Sequence, residues 1–438
     1  MVEPVLSWGR AHRFDHSVER LAPNSLPKFS NGAAGTPHIL AHGLGRSYGD
    51  VALNESGQLW LTARRNDFIH ADWSSGVVRA HSGMSLAELH QVTIPKGWFV
   101  AVTPGSKFVT LGGAVANDVH GKNHHQAGSF GAHVRAIGLI RSDRGRLTLS
   151  PDANPELFAM TIGGLGLTGF IDWVEIQLKP IASSQMQVEN LPYGSLQEFF
   201  DLSEASRDWP YTVAWVDCFA SGASRGRGIF SRARFADDGP LVPAPPKAGV
   251  KWPMTTPSFL LNRVSISAFN WLYRHRPAAR FKGRQAYDPF FYPLDSIREW
   301  NKLYGRRGFH QHQSLIPPEA GREGIAEMLK AISKSGQGSF LAVLKVHGAE
   351  ASPGVMSFCR EGVSLALDFA HRGKKTLKLL DTLDQITASH GGRLYPAKDG
   401  RMAPEFFQSS YPRWIDLERL RDPAFSSSFW RRVTQESA

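Results

Sequence analysis

The run His42-Gly43-Leu44-Gly45-Arg46-Ser47-Tyr48-Gly49-Asp50, which follows a strand-like segment at residues 36–41 ending in Ala41, decides the fold. Glycines at this density let successive backbone N–H groups converge on an anion, and Arg46 and Ser47 add side-chain donors. Tyr48 occupies the third glycine position of a dinucleotide fingerprint, so this is not a Rossmann turn. Taken alone, the run also fits a purely structural turn.

Two further glycine clusters lie downstream. Pro104-Gly105-Ser106 leads to Val109-Thr110-Leu111-Gly112-Gly113-Ala114-Val115-Ala116-Asn117-Asp118-Val119-His120-Gly121-Lys122. This small-residue run predicts a short helix whose N-terminus approaches a pyrophosphate and whose backbone lies against a flat ring. The third cluster, Gly164-Leu165-Gly166-Leu167-Thr168-Gly169, matches GxGxxG letter for letter. Its predicted context is a preceding helix and a following strand, the reverse of a nicotinamide fingerprint, so that reading is rejected. Walker A, HExxH and zinc-spaced cysteine patterns are absent from the sequence, and no GxSxG nucleophile elbow is read in it.

Working outward, the first 180 residues alternate short strands and helices. Strands are predicted at residues 58–63, 76–81, 98–102 and 170–178, a hairpin at 133–149 and a helix at 85–94. Asn154 is the predicted N-cap of a helix over 156–161. Beyond Pro180 the texture changes. Strand-like pieces at 211–219 and 340–346 accompany a proline-rich loop at 240–257 and helices at 320–335 and 375–390. The tail reads as a strand-loop at 393–398, a helix over 404–420 broken by Pro412, and a helix over 425–433. No internal repeat is present.

The 438 residues are 42% hydrophobic and 20% charged, which excludes a disordered, collagen-like or coiled-coil chain. Two cysteines, Cys218 and Cys359, cannot build a disulfide framework. The N-terminal residues lack the apolar core of a secretory signal, and no run is apolar enough to span a bilayer, so a cytoplasmic location is expected. The net charge of +11 suits nucleic acid, an anionic membrane surface or phosphorylated substrates. No nucleic-acid motif accompanies the charge, and no nucleic-acid partner is expected. His120, His124 and His125 lack the convergent ligand set of a metal site; they read as loop histidines and no metal is expected.

The three clusters together resemble the vanillyl-alcohol oxidase/p-cresol methylhydroxylase type of FAD-binding domain. Within it, the run His120-Gly121-Lys122-Asn123-His124-His125-Gln126-Ala127-Gly128-Ser129-Phe130-Gly131 is similar to the decaprenylphosphoryl-β-D-ribose oxidases. So are Ala214-Trp215-Val216-Asp217, Tyr292-Pro293-Leu294-Asp295, Glu299-Trp300-Asn301, Gln311-His312-Gln313, Lys345 and Gly392-Arg393-Leu394-Tyr395-Pro396-Ala397-Lys398-Asp399. The resemblance implies a two-domain α+β fold: an FAD domain over 1–181, an inserted substrate domain with an antiparallel sheet over 182–392, and a segment, 393–438, that completes the FAD domain. It implies FAD held by Ala41, His42, Gly43, Leu44, Gly45, Arg46, Ser47, Tyr48, Gly49, Asp50, Gly105, Thr110, Leu111, Gly112, Gly113, Asn117, Asp118, Val119, His120, Gly121, Ile171 and Tyr395. Many members attach FAD through a histidine that matches Arg46 here, which implies non-covalent FAD.

The implied reaction oxidises the C2 hydroxyl of a polyprenylphosphoryl ribose to a keto sugar, and a separate NAD(P)H-dependent short-chain reductase completes epimerisation to the arabinose donor for cell-wall arabinan. By similarity Lys398, His120 and Tyr48 form the catalytic set, with Lys398 either a base or a charged stabiliser. Lys122, Gln311, Gln313, Lys345 and Lys398 are the implied substrate contacts; amides suit sugar hydroxyls and lysines suit a phosphate. Gln311 and Gln313 alternate on a predicted strand and so share a face. The family's pocket cysteine, the target of covalent nitroaromatic inhibitors, falls on Ala366. Residues 259–284 are apolar at helical spacing through Leu261, Val264, Ala268 and Leu272 and carry basic residues. They read either as a helix for an anionic membrane surface, at the inner face of the plasma membrane, or as a core-facing helix with a basic end. The alternative function is oxidation of a soluble alditol, sugar or lactone with the same flavin.

Overall fold

The computed structural model describes residues 5–23, 29, 38–246 and 249–435. The predicted strand at 36–41 appears as Ile39–His42, with residues 36 and 37 outside the described set. Ile39–His42 and Ser17–Arg20 flank Gln58–Leu61 in a small parallel sheet. Its last residue, His42, delivers the chain into the first glycine turn.

A second sheet is antiparallel. Phe170–Pro180 pairs with Val77–His81 on one side and Val134–Arg141 on the other, and Phe68–Asp72 and Gly145–Leu149 form its margins. The alternation read in Phe170–Pro180 buries Val174, Ile176 and Leu178, as expected of a half-buried strand. The helix Leu86–Thr93 opens with a capping box: Ser85 Oγ accepts from Glu88 N, and the Glu88 carboxylate accepts from Ser85 N. The helix Leu111–Ala116 is capped by Thr110, which accepts from Gly113 N.

The third sheet has eight strands in the order Lys282–Ala286, Gln185–Tyr193, Gly228–Phe235, Tyr211–Val216, Ala342–His347, Gly362–Ala370, Phe309–Ile316 and Arg393–Leu394. Its pairings are antiparallel. The helices Pro318–Ser335 and Lys374–Ser389 cover one face, with Ile325, Met328, Leu379 and Leu383 packed on Leu344, Leu365 and Leu367. Because side chains alternate across a strand, the polar residues between those leucines turn to the other face. That face carries Lys345, Ala366, Asp368, Gln311 and Gln313.

Beyond Arg393–Leu394 the tail returns to the first sheet. Phe407, Leu417, Phe429 and Trp430 pack with Leu40, Val51 and Leu59. Pro412 separates the helices Pro404–Ser410 and Trp414–Leu420, as the sequence predicts. The last helix starts at Ser428, not at Phe425, because Phe425 bridges Ile39 and Ser427 caps Trp430 N. Asn154 occupies the cap position before Pro155–Thr161 in the left-handed region, φ 56°, and does not cap the helix with its side chain. It donates to Thr148 O instead, at 3.0 Å. The strand predicted to run to Phe219 stops at Val216, where Asp217 turns to Arg227 and Asn270.

Candidate active site

A cavity of about 340 Å³ is lined by residues of all three glycine clusters, the third through Leu165, Gly166 and Gly169, and by the polar face of the large sheet. Ala41, Gly43, Leu44, Gly45, Arg46, Ser47 and Tyr48 contribute from the first turn. Gly105, Thr110, Gly112, Gly113, Asn117, Val119 and His120 contribute from the second, and Ile171 and Tyr395 complete the predicted cofactor residues that line it. Among the described residues, the amides of Gly43, Leu44, Gly45, Arg46 and Ser47 find no acceptor in the protein. Gly45 holds φ at +62°, which favours glycine and lets this turn close on itself. Such a row of free N–H groups suits a pyrophosphate. At Gly105 a Cβ would meet nothing within 4 Å, so its bare backbone faces open space. Donors, a glycine wall and an adjoining cavity fit a dinucleotide flavin.

Other predicted cofactor residues stand behind the lining. The His42 ring is buried with Nδ1 2.8 Å from Ala52 O. Gly49 abuts the backbone of Asp399, where no Cβ would fit, and Asp50 pairs with Arg432 at 2.9 Å. Leu111 is a core residue. The Asp118 carboxylate accepts from Gly131 N, Ser352 and Ser357, bracing the turn from below. Gly121 gives its carbonyl to Lys345 Nζ at 3.3 Å.

Gln311, Gln313, Lys345 and Lys398 line the cavity. Lys122 does not: its ammonium donates to the carbonyls of Phe290 and Phe291 and lies 4.6 Å from the Phe290 ring centroid. Those carbonyls hold the amine that the sequence reading assigned to substrate, and burial lowers it to about 7.

Burial sets the electrostatics. It lowers Lys398 to about 7, with Asp368 opposing and Lys345 adding to the shift. It lowers Lys345 to about 8. Lys398 Nζ sits 3.8 Å from the centre of the Tyr48 ring, whose phenol burial holds protonated. His120 is pushed well below its ordinary value by burial and then by Lys345, so it is a neutral imidazole. The Gln313 amide donates to His120 Nε2 at 2.8 Å, which places the imidazole proton on Nδ1.

Sequence reading missed two carboxylates here. Asp368 is raised by burial to about 7 and accepts from Gln311 Nε2 at 2.6 Å. Its signal was the alternation from Ala366: a residue two further along the same strand faces the same side. Asp295 accepts from Ser106 Oγ and Lys107 N, both at 2.8 Å, and is raised by burial. Its signal was the family-like stretch Tyr292-Pro293-Leu294-Asp295, which gave it no role. Ala366 lines the cavity between its register partners Gln313 and Val343. Arg46, at the family's histidine position, places its guanidinium 4.1 Å from the Trp8 ring centroid and donates from Nε to Phe108 O.

The FAD binding domain family matches residues 33–149. A decaprenylphosphoryl-beta-D-ribose oxidase of Mycolicibacterium smegmatis is 34% identical over 98% of this chain and 97% of its own length. The chain belongs to the decaprenylphosphoryl-β-D-ribose oxidase family. An uncharacterized protein of Streptomyces coelicolor is 32% identical over 80% of this chain and all of its own length. A D-lactate dehydrogenase of Anaerostipes hadrus is 26% identical over 34% of this chain and 32% of its own. As a member of this flavoprotein family the chain is an FAD-dependent oxidoreductase with a mixed α+β fold.

Proposed function

We propose that this chain oxidises the C2 hydroxyl of a polyprenylphosphoryl-β-D-ribose to the 2-keto sugar, with FAD bound non-covalently. The observation that carries the reading is the grouping of Lys398, Lys345, Gln311 and Gln313 in the same cavity as the FAD-binding turns. Bound FAD supplies the two-electron acceptor for the hydride. Lys398 takes the hydroxyl proton: burial brings its amine near neutrality, where a base is both free and strong enough to act. Asp368 stands close enough to favour the lysinium that results. Gln311 and Gln313 orient sugar hydroxyls, and Lys345 meets the anionic phosphate. Neutral His120 and protonated Tyr48 hold the reacting hydroxyl without adding charge. Arg46 has no nucleophilic ring nitrogen at the attachment position, which supports non-covalent FAD.

We read the chain as an FAD unit over 1–181, a substrate unit over 182–392 and a segment, 393–438, that completes the FAD unit; the packing of Phe407, Leu417, Phe429 and Trp430 with Leu40, Val51 and Leu59 supports that reading, while Arg393–Leu394 pairs with the large sheet. The keto sugar requires a separate NAD(P)H-dependent short-chain reductase to complete epimerisation. The GxGxxG run of this chain lies in the turn between Pro155–Thr161 and Phe170–Pro180, the wrong context for a nicotinamide. We place the protein at an anionic membrane surface, on the cytoplasmic face. No helix among the described residues is long and apolar enough to cross a membrane. The helix Arg263–His275 instead leaves Val264, Trp271 and Leu272 exposed beside basic residues, while Ile266 and Asn270 face inward. That exposure favours the membrane reading over a core-facing helix.

The test is anaerobic addition of polyprenylphosphoryl ribose to the purified flavoprotein. Rapid bleaching of the flavin is the expected result. An unbleached spectrum with the lipid, but bleaching with free sugars, would transfer the assignment to soluble-sugar oxidation.

A further inference from the structure

Away from the cavity lining, His124, His347 and Cys359 meet, with one ligand atom from each within 4.8 Å of the others. His124 opens the short helix His124–Ala127, His347 ends the strand Ala342–His347, and Cys359 precedes the strand Gly362–Ala370. All three are buried, at 2%, 1% and 6% exposure. Neither ring nitrogen of His124 has a hydrogen-bond partner, and Nδ1 of His347 has none. Buried polar atoms in native folds are almost always satisfied, so these unpartnered nitrogens, gathered around one thiol, point to an occupant.

The chemistry of the donors selects it. His347 Nε2 lies 2.9 Å from Ser364 Oγ. Donation of the Nε2 proton to that hydroxyl leaves the Nδ1 lone pair open, as in histidine ligands held by an outer hydrogen bond. Two imidazoles and a thiol suit a borderline-soft cation of the zinc class, and the absence of carboxylates from the trio disfavours magnesium or calcium. His125 takes no part: its Nε2 lies 2.9 Å from Trp209 O. His120 is engaged by Gln313. The sequence reading missed this grouping because two of its members lie more than two hundred residues from the third.

We propose that His124, His347 and Cys359 bind one zinc-class divalent cation. Binding forms metal–nitrogen bonds and one metal–sulfur bond, and the Cys359 proton leaves to solvent; no electron is transferred. The cation fastens the segment that follows His120 to the strand that carries Lys345. Its role is structural, and it takes no part in the flavin chemistry proposed above.

The experiment uses the untagged, flavin-loaded, full-length protein, stripped with a chelator and reloaded with Zn²⁺ or Co²⁺ alone. About one equivalent of Zn²⁺ retained after dialysis is expected, as for a three-ligand site. Co²⁺ is expected to give a thiolate-to-cobalt charge-transfer band. Cys359→Ser should abolish that band, and His347→Phe should abolish Zn²⁺ retention, with the flavin spectrum unchanged in both. No retained metal in the wild type, a cobalt spectrum without the thiolate band, or equal retention by Cys359→Ser would overturn the proposal. If neither variant folds, the wild-type cobalt spectrum alone decides. Loss of this site would leave flavin bleaching by the lipid intact, so the two readings fail separately.

Discussion

At Lys398 a single side chain carries both the chemistry and its pH dependence. Burial lowers its amine to about 7 while Asp368 works against the shift. Below that value the amine holds a proton and cannot take another; above it the base is free. Anaerobic flavin reduction should therefore accelerate as pH rises through about 7 and then level off. Lys398→Met should slow it by roughly 10²–10⁴-fold, the usual worth of a positioned base, with flavin still bound. Asp368→Asn removes a neighbour that raises the lysine, so the inflection should move to lower pH. A rate that instead falls with rising pH would make Lys398 a charged stabiliser. Ala366 supports a second residue-scale prediction. It lines the cavity where the family carries its reactive cysteine. Mass spectrometry should detect no nitroaromatic adduct on the wild-type chain incubated under turnover, and Ala366→Cys should acquire one.

The helix Arg263–His275 is the element whose sequence left two readings open. Its N-cap is explicit: Asn262 accepts from Val264 N and Ser265 N. Ile266 is buried, but the rest of its apolar face stays outside the core: Val264 is 78%, Trp271 57% and Leu272 62% exposed. The paired substitution Trp271→Glu and Leu272→Glu should abolish co-sedimentation with phosphatidylserine vesicles while leaving the flavin spectrum unchanged. Unaltered sedimentation of that variant would remove this helix from the membrane contact. The strands illustrate the opposite case. Alternation in Phe170–Pro180 was readable directly, because a strand with one buried face repeats every second residue; Phe309–Ile316 is buried on both faces, and there only Gln311 and Gln313 gave the shared side.

Across the whole molecule, the tail joins the two halves of the site. Arg432, on the last helix, pairs with Asp50 at 2.9 Å and with Asp399 at 3.0 Å. Asp50 closes the first glycine turn, and Asp399 follows Lys398 in the chain. Both carboxylates are nearly fully buried, at 3% and 5% side-chain exposure. Arg432→Ala strands them, and breaking such a pair costs about 3 kcal/mol. The variant should unfold at a lower temperature and lose FAD on gel filtration more readily than the wild type. Unchanged melting and flavin retention would show that the tail is held by its apolar packing alone.

The sequence by itself determined that this is a flavoprotein. Its three glycine clusters are contiguous, and local backbone requirements are written in consecutive residues. It also placed Gln311, Gln313, Lys345 and Lys398, through strand alternation and family resemblance. Only the tertiary structure decided which of these reach the cavity. Lys122 is turned away by the carbonyls of Phe290 and Phe291, and Asp118 and Gly49 serve as support, because they meet residues far along the chain. Asp295 and Asp368 join the site for the same reason. Their burial raises them, and burial comes from packing between segments that no local pattern connects.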